Sequence, residues 1–151
     1  MTLIDKIDEK YKIAIKEKDS ISINTLRLIK SAIKDKLISL RGKQDNLSDS
    51  EVLSLLQNLI KQRKDSIEAF NKANRQDLID KENAEIDVIE VFMPSQKSEN
   101  ETDEIIKKII FQNNFSSIKD MGKLMNIIKS EYPGVIDMGL AGKIAKVSLG
   151  K

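Results

Sequence analysis

Apolar residues recur at three- and four-residue spacing from one end of this chain to the other, and only two prolines, Pro94 and Pro133, and six glycines interrupt them. That is the period of the α-helix, and no alternating strand pattern competes with it. Thr2 with Asp5 forms a capping pair for a first helix, striped with Ile4, Ile7, Tyr11 and Ile15 and ending near Lys18. A second helix starts at Asp19 or Ser20 and runs to about Leu40, with Leu26, Ile29, Ile33, Leu37 and Leu40 on one face and Gly42 just past its end. After the loop RGKQDN, Ser48 and Glu51 cap a third helix whose Val52, Leu55, Leu56, Leu59, Ile67 and Phe70 face a core, with Asn74 as a left-handed stop. Asp77 opens a fourth, carrying Leu78, Ile79, Ile86, Ile89 and Phe92, and it must finish before Pro94.

The polar stretch PSQKSENET lacks periodic apolar residues and is the expected boundary, about residues 94–102, between two modules. Beyond it, Ser98 with Glu101 and Ser117 with Asp120 are two further capping boxes, the first before Ile105, Ile109 and Ile110, the second before Met121, Leu124, Met125 and Ile128. Pro133-Gly134 makes a tight turn, and Asp137 caps a last helix bearing Leu140, Ile144 and Val147. The expectation is an all-α protein: a four-helix bundle-like module over residues 1–94, then a small three-helix module over residues 95–151.

Composition narrows the chemistry. With no cysteine and no histidine, disulfides, Cys/His zinc sites, thiol nucleophiles and imidazole acids or bases are excluded. No phosphate-cradling glycine motif, DxDxDG loop or triad is present, so no catalytic residue, metal ligand, cofactor or small-molecule substrate is expected. The opening MTLIDKIDEK carries charges where a secretory leader needs an apolar run, and no stretch approaches the length of a membrane span. From this a cytoplasmic protein without membrane contact is expected. With 26 basic and 24 acidic residues, net charge does not announce a nucleic-acid binder, so any such surface must be local.

The run KQRKDSIEAFNKANRQDL, from Lys61 to Leu78, strongly resembles the corresponding run of the YqeY family. The proline-containing link from Met93 to Ser98, DMGKLM from Asp120 to Met125 and the turn from Pro133 to Asp137 resemble that family in order and spacing, so the likeness covers nearly the whole chain. The resemblance implies a helical bundle followed by a three-helix module homologous to the tail of the GatB subunit of tRNA-dependent amidotransferases, a tail that faces transfer RNA. It implies transfer RNA and amidotransferase subunits as partners. The family places carbon–nitrogen ligase chemistry, with glutamine as amide donor, in the catalytic body of the B subunit and in its partner, not in this tail. The chain departs from the family at Asn74, where glycine is usual, and at Met93-Pro94-Ser95-Gln96-Lys97, where relatives read Leu-Pro-x-Gln-Leu. Gly134-Val135-Ile136-Asp137 also lacks the lysine of the usual Gly-Lys-Ala-Asp, which weakens the carry-over of nucleic-acid contacts to that turn.

Three places offer basic surface. On the second helix Arg27, Lys30, Lys34 and Arg41 fall within about 60° of one another, beside a fourth helix rich in carboxylates, so the two helices are either charge partners or solvated faces. Arg63 sits on the apolar stripe between Leu59 and Ile67, with Lys61 and Lys64 beside it; it either pairs with a carboxylate of the fourth helix, fixing register, or recognises phosphate with Lys64. Lys61 with Asp65 and Lys64 with Glu68 have the spacing of ordinary helical pairs. Near the C-terminus Lys119, Lys123, Lys129, Lys143, Lys146 and Lys151 face only Asp120, Glu131 and Asp137. There Lys123 and Lys143, each near a helix start, are placed to converge on a phosphate, or the six are simply a soluble surface. Gly122 allows close helix packing or the approach of a phosphate. The few aromatics fall mostly at core or junction positions, so recognition of RNA shape and backbone is expected without base stacking. The rival expectation is a protein-binding adaptor with an apolar groove near Phe92, Met93, Phe111 and Phe115.

Overall fold

The computed structural model describes residues 1–150, which hold seven α-helices, one 3₁₀ turn and no strand. The protein is all-α. Two compact units form, Met1–Met93 and Pro94 onward.

The first unit contains α1 (Leu3–Glu17), α2 (Ser20–Ser39), α3 (Asp49–Lys72) and α4 (Gln76–Glu90). Each of the first three starts on a side-chain oxygen that satisfies an otherwise orphaned amide. Thr2 Oγ1 accepts from Asp5 N at 3.1 Å while Asp5 Oδ2 accepts from Thr2 N at 3.1 Å, and Ser48 with Glu51 repeats the arrangement on α3. Asp19 accepts from Ser22 N at the head of α2. α4 departs from expectation: its cap is Arg75, which makes no side-chain capping bond, because the Asp77 carboxylate is instead engaged by Arg75 Nε and Nη2 at 3.1 and 3.0 Å. Asn74 adopts the left-handed conformation, φ 56°, and Arg75 N donates back to Phe70 O, closing α3. Between α1 and α2 there are only Lys18, also left-handed at φ 56°, and Asp19.

α3 packs along α4 and α1 along α2, around a core of Leu3, Ile7, Ala14, Leu26, Ile29, Ile33, Leu47, Val52, Leu56 and Ile89. The inward face of α1 is Leu3–Ile7–Ala14, with Ile4 and Tyr11 on its flank; Ile15, one residue and about 100° further round, is 48% exposed and not in the stripe.

Thr25 is completely buried in this unit, and its Oγ1 finds no hydrogen-bond partner among the described residues. An unpaired buried hydroxyl costs about 1–3 kcal/mol, and valine has the same shape without it. Thr25→Val should therefore raise stability by about 1 kcal/mol, read as a higher denaturation midpoint at unchanged slope. A lower midpoint would show that the hydroxyl is satisfied in solution.

The second unit contains α5 (Glu99–Asn113), a 3₁₀ turn (Ile118–Asp120), α6 (Met121–Glu131) and α7 (Met138–Leu149). Ser98 and Glu101 cap α5, and Asp137 Oδ1 accepts from Gly139 N and Leu140 N to start α7. Ser117 and Asp120 form the expected capping box, but on the 3₁₀ turn and not on α6 directly: the Asp120 carboxylate also accepts from Ser116 N at 2.9 Å, and α6 follows with no side-chain cap of its own. The core is Ile106, Ile109, Leu124, Ile128, Ile136, Ala141, Ala145 and Leu149. Both alanines are fully buried, which brings the α7 backbone close to its neighbours. Pro133 and Gly134, φ 74°, form the central pair of a type II turn, where a positive φ demands glycine. Lys97 N donates to Val135 O at 2.7 Å and Gln96 Nε2 to Gly134 O at 2.6 Å, tying the chain ahead of α5 to this turn. Among the described residues no helix is long and apolar enough to cross a membrane.

Candidate nucleic-acid interface

Arg63 lies inside the first unit. The helical spacing that puts it between Leu59 and Ile67 turns it toward α4, where Nε meets Glu85 Oε2 at 3.0 Å while Nη1 donates to Leu59 O at 3.1 Å. Its side chain is 10% accessible and that of Glu85 14%, so this cation is committed to the bundle. Lys64, one position on, is exposed, and among the described residues neither Lys61–Asp65 nor Lys64–Glu68 closes an ion pair.

The basic stripe of α2 finds its partners on α1, not among the carboxylates of α4. Lys30 Nζ pairs with Asp8 at 2.9 Å and stands 4.8 Å from the centre of the Tyr11 ring, while Arg27 Nε donates to the Tyr11 hydroxyl at 2.9 Å. Which neighbouring helix supplies the partner is a matter of packing order, invisible to periodicity.

In the second unit Lys119, Lys123, Lys129, Lys143 and Lys146 are all exposed, and none closes an ion pair among the described residues. Lys143 and Lys146 stand about 60° apart on the outer side of α7, and Lys119 and Lys123 flank the start of α6. Lys129 falls on the opposite flank of α6 from Lys123, so the set is two pairs and an outlier. Lys123 is in the first turn of α6, whereas Lys143 is in the second turn of α7, where the N-terminal field has faded. Lys151 lies outside the described residues. Gly122 is corrected too, since a Cβ there would meet nothing within 4 Å, so close helix packing does not explain it.

Carboxylates nearby are occupied by backbone. Asp120 is held below the usual carboxylate range chiefly by the amide of Ser116, and Glu101 by that of Ser98. The same cause holds Asp5 and Glu51 down, through the amides of Thr2 and Ser48. Each is held down by amides at a helix or turn start that it accepts from, so the lowering reports capping and not a catalytic pair. No group of three potential metal ligands occurs among the described residues.

Phe111, placed by the sequence either with the aromatics at core or junction positions or in the apolar groove of the adaptor reading, is 84% exposed. It stands on the side of α5 opposite Thr102, Ile106 and Ile109, beside an open recess lined by Lys107, Ile110, Phe111, Asn114, Phe115 and Ser148. The signal was present: at 100° per residue Phe111 falls nearly half a turn from that buried row.

Comparison with known proteins supplies what geometry alone does not. The family model described as Yqey-like protein matches residues 4–149. Three similar proteins carry the name "Altered inheritance of mitochondria protein 41, mitochondrial". The one from Lachancea thermotolerans is 38% identical over 90 residues, 60% of this chain and 47% of the relative. That from Pyrenophora tritici-repentis is 30% identical over 140 residues, 86% of this chain and 76% of the relative. That from Saccharomyces cerevisiae is 37% identical over 95 residues, 62% of this chain and 50% of the relative. The match thus spans about half the length of two of these relatives and three quarters of the other. Their names overturn the expectation of a cytoplasmic protein. Charges near the N-terminus argue against a secretory leader, but mitochondrial leaders are themselves charged and amphipathic, so that argument never bore on the organelle. By the extent of the family match and of the Pyrenophora likeness, the chain belongs to the YqeY family of Yqey-like proteins.

Proposed function

We propose that this protein is a non-catalytic accessory factor whose second unit faces RNA, a folded transfer RNA being the class that fits, and that it works beside a tRNA-dependent amidotransferase. The observation that carries the reading is the state of the lysines: Lys119, Lys123, Lys129, Lys143 and Lys146 are exposed and make no ion pair among the described residues, while Asp120 and Asp137 among the local carboxylates are turned to backbone amides. Such lysines are available to phosphate oxygens, a contact that gains from counterion release. Arg63 is left out of this surface, since Glu85 holds it; Lys64 remains a peripheral candidate. The likeness to the GatB tail points to the same ligand.

Titration against unfractionated transfer RNA at two salt concentrations tests this. Binding should weaken steeply with salt, and the variant carrying Lys123→Glu, Lys143→Glu and Lys146→Glu should bind at least tenfold more weakly with a shallower salt slope, its helicity confirmed by circular dichroism. Failure of the unaltered protein to bind at low salt would overturn the RNA reading. It would favour the second one, a protein-binding adaptor, for which exposed Phe111 is the specific support.

A further inference from the structure

The first unit divides its charge unevenly between its two helix pairs. Residues 1–41, which hold α1 and α2, carry ten basic and six acidic side chains, whereas residues 49–93, which hold α3 and α4, carry ten acidic and six basic ones. With Lys43 and Asp45 between them, the unit is neutral as a whole and its charge is separated.

On the outer face of α2, Arg27, Lys34 and Ile38 fall within about 40° of one another, and Asp80, Asp87 and the C-cap Val91 do the same on α4. All six are exposed, Ile38 at 55% and Val91 at 61%. Among the described residues none of the four charges closes an ion pair. The two rows share one spacing: a charge, a second charge seven residues on, and an aliphatic side chain four beyond that. The charges of each row are thus about 10.5 Å apart along the helix, with the aliphatic group about 6 Å further. Nearby counter-charge leaves both rows standing. Beside α2, Asp8 is held by Lys30 and Asp5 accepts from Thr2 N, which leaves Asp35, about 100° round from Lys34. Beside α4, Lys81 lies about 100° round from Asp80, and the exposed face of α3 is mixed, with Lys61 and Lys64 next to Asp65 and Glu68.

We infer that this chain self-associates through these rows, α2 of one copy lying alongside α4 of another in the parallel sense. One register then sets Arg27 against Asp80, Lys34 against Asp87 and Ile38 against Val91, as complementary flanking charges set partner and orientation in paired helices. A small anion cannot span cations about 10 Å apart. A nucleic acid would leave Ile38 without a partner and would meet a repelling carboxylate row on the same unit. Exposed ion pairs are individually weak and screened by salt, so the contact is modest and dissociates as salt rises.

Sedimentation velocity of the full-length protein, over a series reaching high-micromolar concentration, should show self-association at low salt that is lost at high salt. Arg27→Glu with Lys34→Glu leaves both rows acidic, and Asp80→Lys with Asp87→Lys leaves both basic. Each variant alone should self-associate at least about tenfold more weakly, while the two mixed should form a complex at least as tight as the original. Lys61→Glu with Lys64→Glu makes the same change of charge on α3 and should alter self-association little. Circular dichroism confirms that each variant is folded. A protein that stays monomeric throughout the series overturns the inference. So does self-association that survives either row variant, that fails to return on mixing, or that the α3 variant weakens equally. Weaker binding of transfer RNA by Arg27→Glu with Lys34→Glu, in a protein that stays monomeric, overturns it in favour of a polyanion on the α2 row.

Discussion

Replacing Arg63 with alanine should lower the free energy of unfolding by about 3–5 kcal/mol. The loss comes from the partner left behind: the Glu85 carboxylate, 14% accessible, would stand against α3 with no cation, and Leu59 O would lose a donor. Removing one member of a buried pair leaves a desolvated charge, whereas removing both leaves a hole that apolar groups fill. The double variant Arg63→Met with Glu85→Leu should accordingly recover most of the loss or exceed the original stability. Denaturant unfolding of the two variants gives both numbers. If the single variant costs under about 1 kcal/mol, water reaches this pair more freely than its burial implies. If the double variant is stable but unfolds with a lower slope, the pair serves the uniqueness of the α3–α4 register.

Ile128→Ala should unfold the second unit while the first stays folded. Ile128 is fully buried among Ile106, Ile109, Leu124 and Ile136, and truncating a buried isoleucine costs about 2–5 kcal/mol. A unit of fewer than about 80 residues rarely draws more than about 3–5 kcal/mol from its core, so one such substitution consumes most of it. Hydrogen exchange read by mass spectrometry separates the units: amides of α5, α6 and α7 should lose protection, while those of α2 and α3 keep theirs. Leu56→Ala, equally buried but in the larger core, should lower protection in the first unit without abolishing it. Full retention of protection in α5–α7 for Ile128→Ala would show that the second unit draws stability from beyond its own core.

Helix starts were legible because capping is decided within four residues. Thr2 with Asp5, Ser48 with Glu51, Ser98 with Glu101, and Asp137 all close the bonds their sequence implies. Left-handed Asn74 and the glycine of the Pro133-Gly134 turn were legible for the same local reason. Arg63 was readable at longer range only because Leu59 and Ile67 fix the face it occupies, leaving a carboxylate of the next helix as the natural partner. Where two local devices compete, or where the answer lies in tertiary packing, the sequence misleads. Asp77 answers Arg75 and caps nothing, Lys30 reaches Asp8 on α1, Gly122 faces open space, and Ile15 yields the inward position to Ala14. For the candidate interface, the lysines could be enumerated from the sequence, but their separation into pairs and the exposure of Phe111 depend on which faces α5, α6 and α7 turn inward.

The junction between α1 and α2 restricts how this chain can vary in length. Lys18 turns left-handed, Asp19 N donates back to Ala14 O at 3.1 Å, and Asp19 is already the cap of the next helix, so no residue there is spare. An insertion or deletion of one residue would separate the left-handed stop of α1 from the cap of α2 and cost one or the other, shifting Leu26, Ile29 and Ile33 against Ile7 and straining the contact of Lys30 with Asp8. The stretch from Arg41 to Asn46, outside any helix and largely exposed, has no such junction to keep. Insertions and deletions among family members should therefore accumulate between α2 and α3 and be purged between α1 and α2.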